Sequence, residues 1–443
     1  MVLDKFGGGT YELELLIGKT ELTNKEHPLK EVGGSELDKK ELSIMGKMTD
    51  KSKLSSYRWV ILALMVTSFL LTFISRMSWP PLIPVVAPIL HMSNTQAGSL
   101  MTAFYIGYVI TQIPAGILAD RLGARAVLTI SLILEGISTF AMHYMTSYDS
   151  GFWLRVVTGL GAGAVMSACS RAVIEWFPQE ERGTAFGILL AAPSAGIVLS
   201  NYIVPALNSS MGWQGVFEVI GIVTGLSGIL ILLFVPKASE QVTKSGNIFG
   251  GFKVIFTSRE LLLTAVAGFC LLWAELGIAT WANAYIKTKL GYSVSIAGLV
   301  MIFYGIGGVL APLISGYISD KVGKRKNILI FSYGVQIPFT IIFGYMHSIP
   351  MLCFIGFLVG FLSYLANPHL SVLVTQFAGK EWAATATGTT NFVWQFASMI
   401  GPLVLGWSID TTGSFASVWW ILAAGPLLGI LALIFIREEV IRA

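Results

Sequence analysis

From Trp59 onward the chain returns repeatedly to apolar runs of about 18 residues or more, each long enough for a helix to cross roughly 30 Å of hydrocarbon. In lipid, backbone N–H and C=O groups find no water. A spanning segment must therefore bond within itself as a helix, or with neighbours in a closed barrel. These runs are continuous rather than alternating, which selects the helix. Only 12% of the residues are charged, about half the share usual in soluble domains. The chain reads as an all-α polytopic membrane protein.

Twelve spans can be laid out, in two sets of six. Spans 1 to 6 cover residues 58–88, 94–118, 125–146, 151–177, 183–207 and 214–235. Spans 7 to 12 cover residues 261–286, 293–318, 326–346, 350–378, 382–407 and 415–436. Residues 236–260, with Lys237, Lys244, Lys253 and Arg259, read as a cytoplasmic linker between residues 57–235 and residues 261–443. Residues 1–56 are polar, rich in acids and lysines, and have the composition of a disordered cytoplasmic tail. No apolar h-region follows an early basic patch there, and Met45 or Met48 offers an alternative start.

Orientation follows from Lys and Arg in the loops. With the N-terminus inside, Arg121, Arg125, Arg182, the four linker cations, Lys321, Lys324, Arg325, Lys326, Lys380, Arg437 and Arg442 all fall on the cytoplasmic side. Only Lys287 and Lys289 fall on the other. Both termini are expected in the cytoplasm, at a plasma membrane. Cys169, Cys270 and Cys353 lie in apolar segments at unrelated spacings, so neither a disulfide framework nor a metal site is expected.

Residues 97–125, AGSLMTAFYIGYVITQIPAGILADRLGAR, align without a gap on residues 297–325, AGLVMIFYGIGGVLAPLISGYISDKVGKR. Gly98/Gly298, Gly107/Gly307, Gly116/Gly316, Asp120/Asp320, Gly123/Gly323 and Arg125/Arg325 are among the identities. Span 2 thus corresponds to span 8 in the same direction. The two six-helix halves are parallel repeats, an arrangement that puts a transporter's site between them near the midplane.

GILADRLGAR, residues 116–125, resembles the loop 2–3 signature of the major facilitator superfamily, and residues 316–325 resemble its weaker copy in loop 8–9. RVVTGLGAG, Arg155–Gly163, resembles a second signature of that family early in helix 4. The resemblance implies a twelve-helix transporter without cofactor, working by alternating access. Its gate would involve Gly116, Asp120, Arg121, Gly123, Arg125, Arg155, Asp320, Gly323 and Arg325. Glycines there permit tight turns and close approach, and an aspartate can face basic groups and a helix N-terminus.

Ionisable groups at membrane depth are costly and usually functional. Arg76 stands midway along span 1. Arg171 stands in span 4, with Glu175 one turn further on the same face. At 100° per residue, the sixteen residues from Arg155 turn Arg171 about 160° away. Two arginines could clamp an anion through bidentate hydrogen bonds. The alternative is that Arg171 only pairs with Glu175, and that Arg76 bonds backbone near Pro80–Pro81.

FYIGYVITQIPAGILADRLGAR and SRAVIEWFPQEERGTAFG narrow the resemblance to the anion:cation symporter group of that superfamily. It implies sugar-acid or other organic-anion substrates, with Arg76, Tyr108 and Arg171 at matching positions. Many proton-coupled members have an acid before the helix 1 arginine, where this chain has Ser75. The coupling ion, proton or sodium, is therefore open, and Glu175, Glu135 and Glu275 are the candidate carriers. Asn201, Trp281, Asn283, Asn391, Trp394 and Gln395 supply amides and aromatic faces suited to a polar organic substrate. The leading expectation is ion-coupled symport by a monomer. A proton-coupled exporter of drug-like compounds and an organic-anion exchanger are the alternatives. No enzyme motif and no basic patch for nucleic acid stands out.

Overall fold

The computed structural model describes residues 36–237, 256, 258–322 and 325–437. Residues 1–57 and 58–443 form separate units. In the first unit, the described stretch from residue 36 is helical, where the sequence reading placed tail. That stretch has no proline, and Glu36 precedes Lys39 and Lys40 at helix-supporting spacing.

The helices are α1 (Glu36–Met77), α2 (Trp79–Ile89), α3 (Asn94–Leu122), α4 (Ala124–Ala141), α5 (Tyr148–Ala162), α6 (Val165–Trp176) and α7 (Arg182–Phe234). Then come α8 (Arg259–Ala284), α9 (Val294–Val322), α10 (Arg325–Phe343), α11 (Ile349–Thr412) and α12 (Ala416–Ile434). Among the described residues there is no strand. The labels do not map one to one onto the spans. Span 1 is α1 plus α2, and span 4 is α5 plus α6. Helix α7 has 53 residues, about 80 Å of helix at 1.5 Å each, far more than one crossing needs. It breaks at Gly212 (φ 73°, ψ 174°), and α11 breaks likewise at Gly379 (φ 70°, ψ 171°). Only glycine holds that conformation readily. Both helices are therefore two spans joined at a glycine. Among the described residues, ten segments have the length and apolarity of a membrane crossing. The break in α7 and the 29-residue α3 bring the total to the twelve expected.

The repeat is visible in the packing. Gly107 of α3 lies against the Val156 carbonyl of α5, and Gly307 of α9 lies against the Phe357 carbonyl of α11. A side chain at either glycine would collide with backbone, so each half docks its second and fourth spans through a bare surface. Arg125 Nη2 donates to the Leu232 carbonyl at 2.5 Å, closing the end of α7. Lys326 Nζ does the same in the other half, bonding Ile434 and Ile436 carbonyls. Both cations sit at the negative end of a helix dipole.

The halves touch most closely at the end holding Asn94 and Asp410. Gly98 abuts the Pro402 carbonyl, Gly298 abuts the Asn201 carbonyl, and Gly406 abuts the Asn94 carbonyl. Thr102 Oγ1 donates to the Met399 carbonyl at 2.6 Å nearby. Towards the other end, Gly116, Gly183, Gly187 and Gly388 have open space where a side chain would stand. Ile188, Leu190, Leu313 and Ile314 are exposed there.

Candidate binding site between the two halves

Pro80 and Pro81 explain the break that separates α1 from α2. Proline carries no N–H, so Pro80 leaves the Arg76 carbonyl without its usual partner four residues on. Arg155 supplies the replacement. Its Nη2 donates to the Arg76 carbonyl at 3.0 Å, Nη1 to the Ser75 carbonyl at 3.3 Å, and Nε to the Leu100 carbonyl at 3.4 Å. Ser78 Oγ adds a bond to the Ser75 carbonyl at 2.7 Å. Arg155 thus braces a broken helix against α3. Along α3, Leu100 and Asp120 are twenty residues apart, about 30 Å, so Arg155 stands far from the loop 2–3 cluster with which the sequence reading grouped it.

The Arg76 side chain meets a different environment. It is 4% exposed, yet its Nε and Nη2 have no hydrogen-bond partner. Aromatic rings surround it: the guanidinium carbon lies 4.3 Å from the Phe73 ring centre, 4.7 Å from Tyr108, 5.2 Å from Phe104 and 5.5 Å from Tyr105. Cation–π attraction contributes roughly 0.5–2 kcal/mol per contact, but it leaves Nε and Nη2 without a hydrogen-bond partner.

Tyr105 carries the site across to the second half. It interacts with Arg76 and Tyr108 on one side and with Ser398 and Glu275 on the other. Tyr105 Oη and Ser398 Oγ are both buried and fall short of regular hydrogen-bond geometry. Glu275 Oε2 accepts from Asn367 Nδ2 at 3.2 Å, and its backbone carbonyl accepts from Tyr304 Oη at 3.2 Å. Tyr364 also bonds the Glu275 carboxyl. Tyr105 therefore joins the Arg76 cage to an acid, two phenols and an amide of the second half.

The other residues singled out from sequence fall in several places. Tyr108 lies in the Arg76 cage. Arg171 Nε donates to Glu175 Oε1 at 2.6 Å, the ion pair that was the alternative to an anion clamp. The backbone stays right-handed helical through Gly163 and Ala164 between α5 and α6, with Arg155 bonded to carbonyls of α1 and α3 and Arg171 to Glu175. Asn283 Nδ2 donates to Asn201 Oδ1 at 3.0 Å, a buried bond between the halves. Trp281 is fully buried, with Nε1 bonding the Pro402 carbonyl at 3.1 Å. Asn391 and Gln395 are half-buried, and Trp394 is buried against Gly268. Glu135 is fully buried and accepts from Thr72 at 2.9 Å.

Of the loop cluster, Gly123 turns with φ 80°, Arg121 is exposed, and Gly116 adjoins open space. Arg325 begins α10. Gly323 and the side chains of Asp120 and Asp320 lie outside the described residues, as does nearly all of the linker 236–260. No group of His, Cys, Asp and Glu among the described residues has the arrangement of a metal site.

Sequence reasoning missed Phe73, Phe104, Tyr105, Ser398 and Tyr364. A signal existed for the first three: all lie within one turn of Arg76 or Tyr108 along their helices. Ser398 and Tyr364 come from segments hundreds of residues away, and only folding makes them neighbours.

Known proteins resemble this chain along most of its length. The family model described as Major Facilitator Superfamily matches residues 64–402 and 279–442. The probable sulfoacetate transporter SauU of Cupriavidus necator is 27% identical over 402 residues, 85% of this chain and 92% of that protein. The probable galactarate/D-glucarate transporter GudP of Bacillus subtilis is 25% identical over 429 residues, covering 87% and 93%. The hexuronate transporter of Bacillus subtilis is 25% identical over 376 residues, covering 80% and 88%. Among solved structures, a bacterial homologue of the human lysosomal transporter Spinster, inward-facing and unoccupied, superposes with a TM-score of 0.72 at 16% identity. That superposition covers 86% of this chain and 95% of the other. A D-xylose-proton symporter gives a TM-score of 0.71 at 17% identity, covering 87% and 98%.

Proposed function

The chain belongs to the major facilitator superfamily, and from that premise we propose that it moves a small organic anion across a cytoplasmic membrane by alternating access. One observation carries the anionic charge: Arg76 is buried between the halves with two guanidinium nitrogens unbonded. Guanidinium stays protonated and offers a planar fork that matches a carboxylate or sulfonate edge. A buried charge in need of hydrogen bonds is costly unless something completes it. An anionic substrate does so, while Phe73, Phe104, Tyr105 and Tyr108 exclude water around it. Sulfoacetate, aldarates and hexuronates, named for the relatives, are all small polar anions and fit that requirement. Arg171 of the first half, bonded to Glu175, is a candidate only after that pair opens. The closed seam at Asn94 and Asp410 and the open end at Gly116 and Gly388 support an inward-facing state, with the Lys- and Arg-rich loops in the cytoplasm.

The test is counterflow in proteoliposomes with labelled D-glucuronate, D-glucarate and sulfoacetate. Wild type is expected to exchange at least one of them. Arg76→Lys keeps charge but loses the fork, and a charge-assisted bond contributes about 1.5–3 kcal/mol, so apparent affinity should fall roughly tenfold or more. Equal affinity in Arg76→Lys, or no exchange of any organic anion by wild type, contradicts the reading.

A further inference from the structure

Behind Arg76, on the side away from the second half, lies a carboxyl group that the anion site does not use. Glu135 of α4 is fully buried; its Oε2 accepts from Thr72 Oγ1 at 2.9 Å, Ser75 lies beside the carboxyl, and Oε1 has no partner of regular hydrogen-bond geometry. A carboxylate meant to stay ionised out of water is normally surrounded by donors. Glu135 is not, and it stands in the field of two cations, Arg76 and Arg155.

The surrounding groups are few. From α1, Thr72, Ser75 and Arg76 face Glu135, and from α5, Arg155 does. Helix α7 meets α4 through Gly221 and Gly225 against Gly136, without a titratable side chain. On α6, Arg171 and Glu175 bond each other. On α3, Tyr105 and Tyr108 turn to Arg76. Ser75 Oγ and Thr139 Oγ1 are 2.9 Å apart. Glu135 and Thr139 are one turn apart on α4, and His143 follows in the short 3₁₀ turn Met142–Tyr144. His143 is a third exposed and 3.5 Å from Glu218. Thr72, Ser75 and Thr139 thus place exchangeable hydroxyls beside Glu135 and towards that end of α4.

We propose that Glu135 is the proton-coupling residue of this carrier, binding one proton on its free oxygen and acting on the substrate through Arg76. The proposal rests on the anion reading above. An ionised Glu135 and a substrate carboxylate compete for the same guanidinium. Protonating Glu135 removes that competition, so the anion binds more tightly when the proton is on. By linkage, the anion strengthens proton binding by the same factor. Proton and anion then enter together at the outer face, and both leave to the cytoplasm when the halves rock. Ser75 beside Arg76 carries no charge, so the carboxyl that senses the arginine sits on α4 instead.

The experiment has two arms. In proteoliposomes, D-glucuronate counterflow and its accumulation under an inward proton gradient are compared in wild type, Glu135→Gln and Glu135→Asp. Glu135→Gln should retain exchange, lose at least tenfold of the gradient-driven accumulation, and bind the anion independently of pH. Glu135→Asp should restore a pH-dependent profile. Accumulation by Glu135→Gln equal to wild type overturns the proposal. In the second arm, infrared spectra of purified protein without substrate are recorded against pH. A carboxylic-acid C=O band, absent from Glu135→Gln and bleached as pH rises, is expected. No titrating band means that Glu135 holds a fixed charge, and the proposal falls. This arm needs no substrate, so it separates failure here from failure of the anion reading, which shows as wild type exchanging no organic anion.

Discussion

Arg76 and Arg155 bring the same charge to nearby places in the membrane and meet opposite environments. Arg155 spends its donors on backbone carbonyls, that of Arg76 left open by Pro80 among them, while Arg76 keeps part of its fork unbonded. Their substitutions should separate accordingly. Arg155→Met strips partners from buried carbonyls, each costing about 1–3 kcal/mol, and should lower the thermal midpoint of the purified protein by several degrees. Arg76→Met removes an under-bonded charge, and packing the site with an apolar side chain is often neutral or stabilising. Its midpoint should hold or rise. A fall in Arg76→Met as large as that of Arg155→Met would make both arginines structural. The sequence flagged both residues, because charge at membrane depth is visible in one dimension. It could not tell them apart: what differs is whether folded carbonyls come within reach. Trp281 and Asn283 read as lining because amides and aromatic faces suit a polar substrate, and folding buries both completely.

At the scale of elements, the seam around Asn94 hinges on a helix end. Asp410 near the end of α11 accepts from the backbone N–H groups of Asn94 and Thr95 and from both side chains, at 2.5–3.0 Å. An anion at a helix N-terminus satisfies orphan donors and the dipole together. This contact joins the two halves, so it must break for that end to open. Asp410→Asn weakens it while keeping shape. A Ser398→Cys probe, buried between the halves, should then react faster with a membrane-impermeant thiol reagent from the Asn94 side. About 1.4 kcal/mol of lost stabilisation gives roughly tenfold. Unchanged labelling would show that the pair does not hold the seam. Spacing and apolarity made the spans legible, and shared glycines made the repeat legible, because bare surfaces recur wherever two helices touch. The latch was not legible, since Asp410 and Asn94 are 316 residues apart.

For the whole molecule, a buried cation, an aromatic cage, and halves sealed at one end and parted at the other combine into a carrier that waits for an anion. The inward-facing form should be the resting one, and an anion that bridges the halves should favour closure. Labelling of Ser398→Cys from the Gly116 side should therefore slow several-fold when saturating anion is added. Faster or unchanged labelling would separate binding from gating. Twelve spans in two repeats were readable because lipid forces helices and repeats preserve spacing. The state of the gate was not, because one sequence encodes both openings.

The most direct measurement is ligand-dependent thermal stability of the purified protein, wild type beside Arg76→Met, across D-glucuronate, D-glucarate, sulfoacetate and the neutral sugar D-glucose. A ligand at 100 times its dissociation constant stabilises the native state by about 2.7 kcal/mol, enough to move the midpoint by degrees. At least one anion is predicted to raise the midpoint of wild type and leave Arg76→Met unmoved, with D-glucose inert in both. An anion that stabilises both proteins equally would contradict the assignment of Arg76 as the anion's partner.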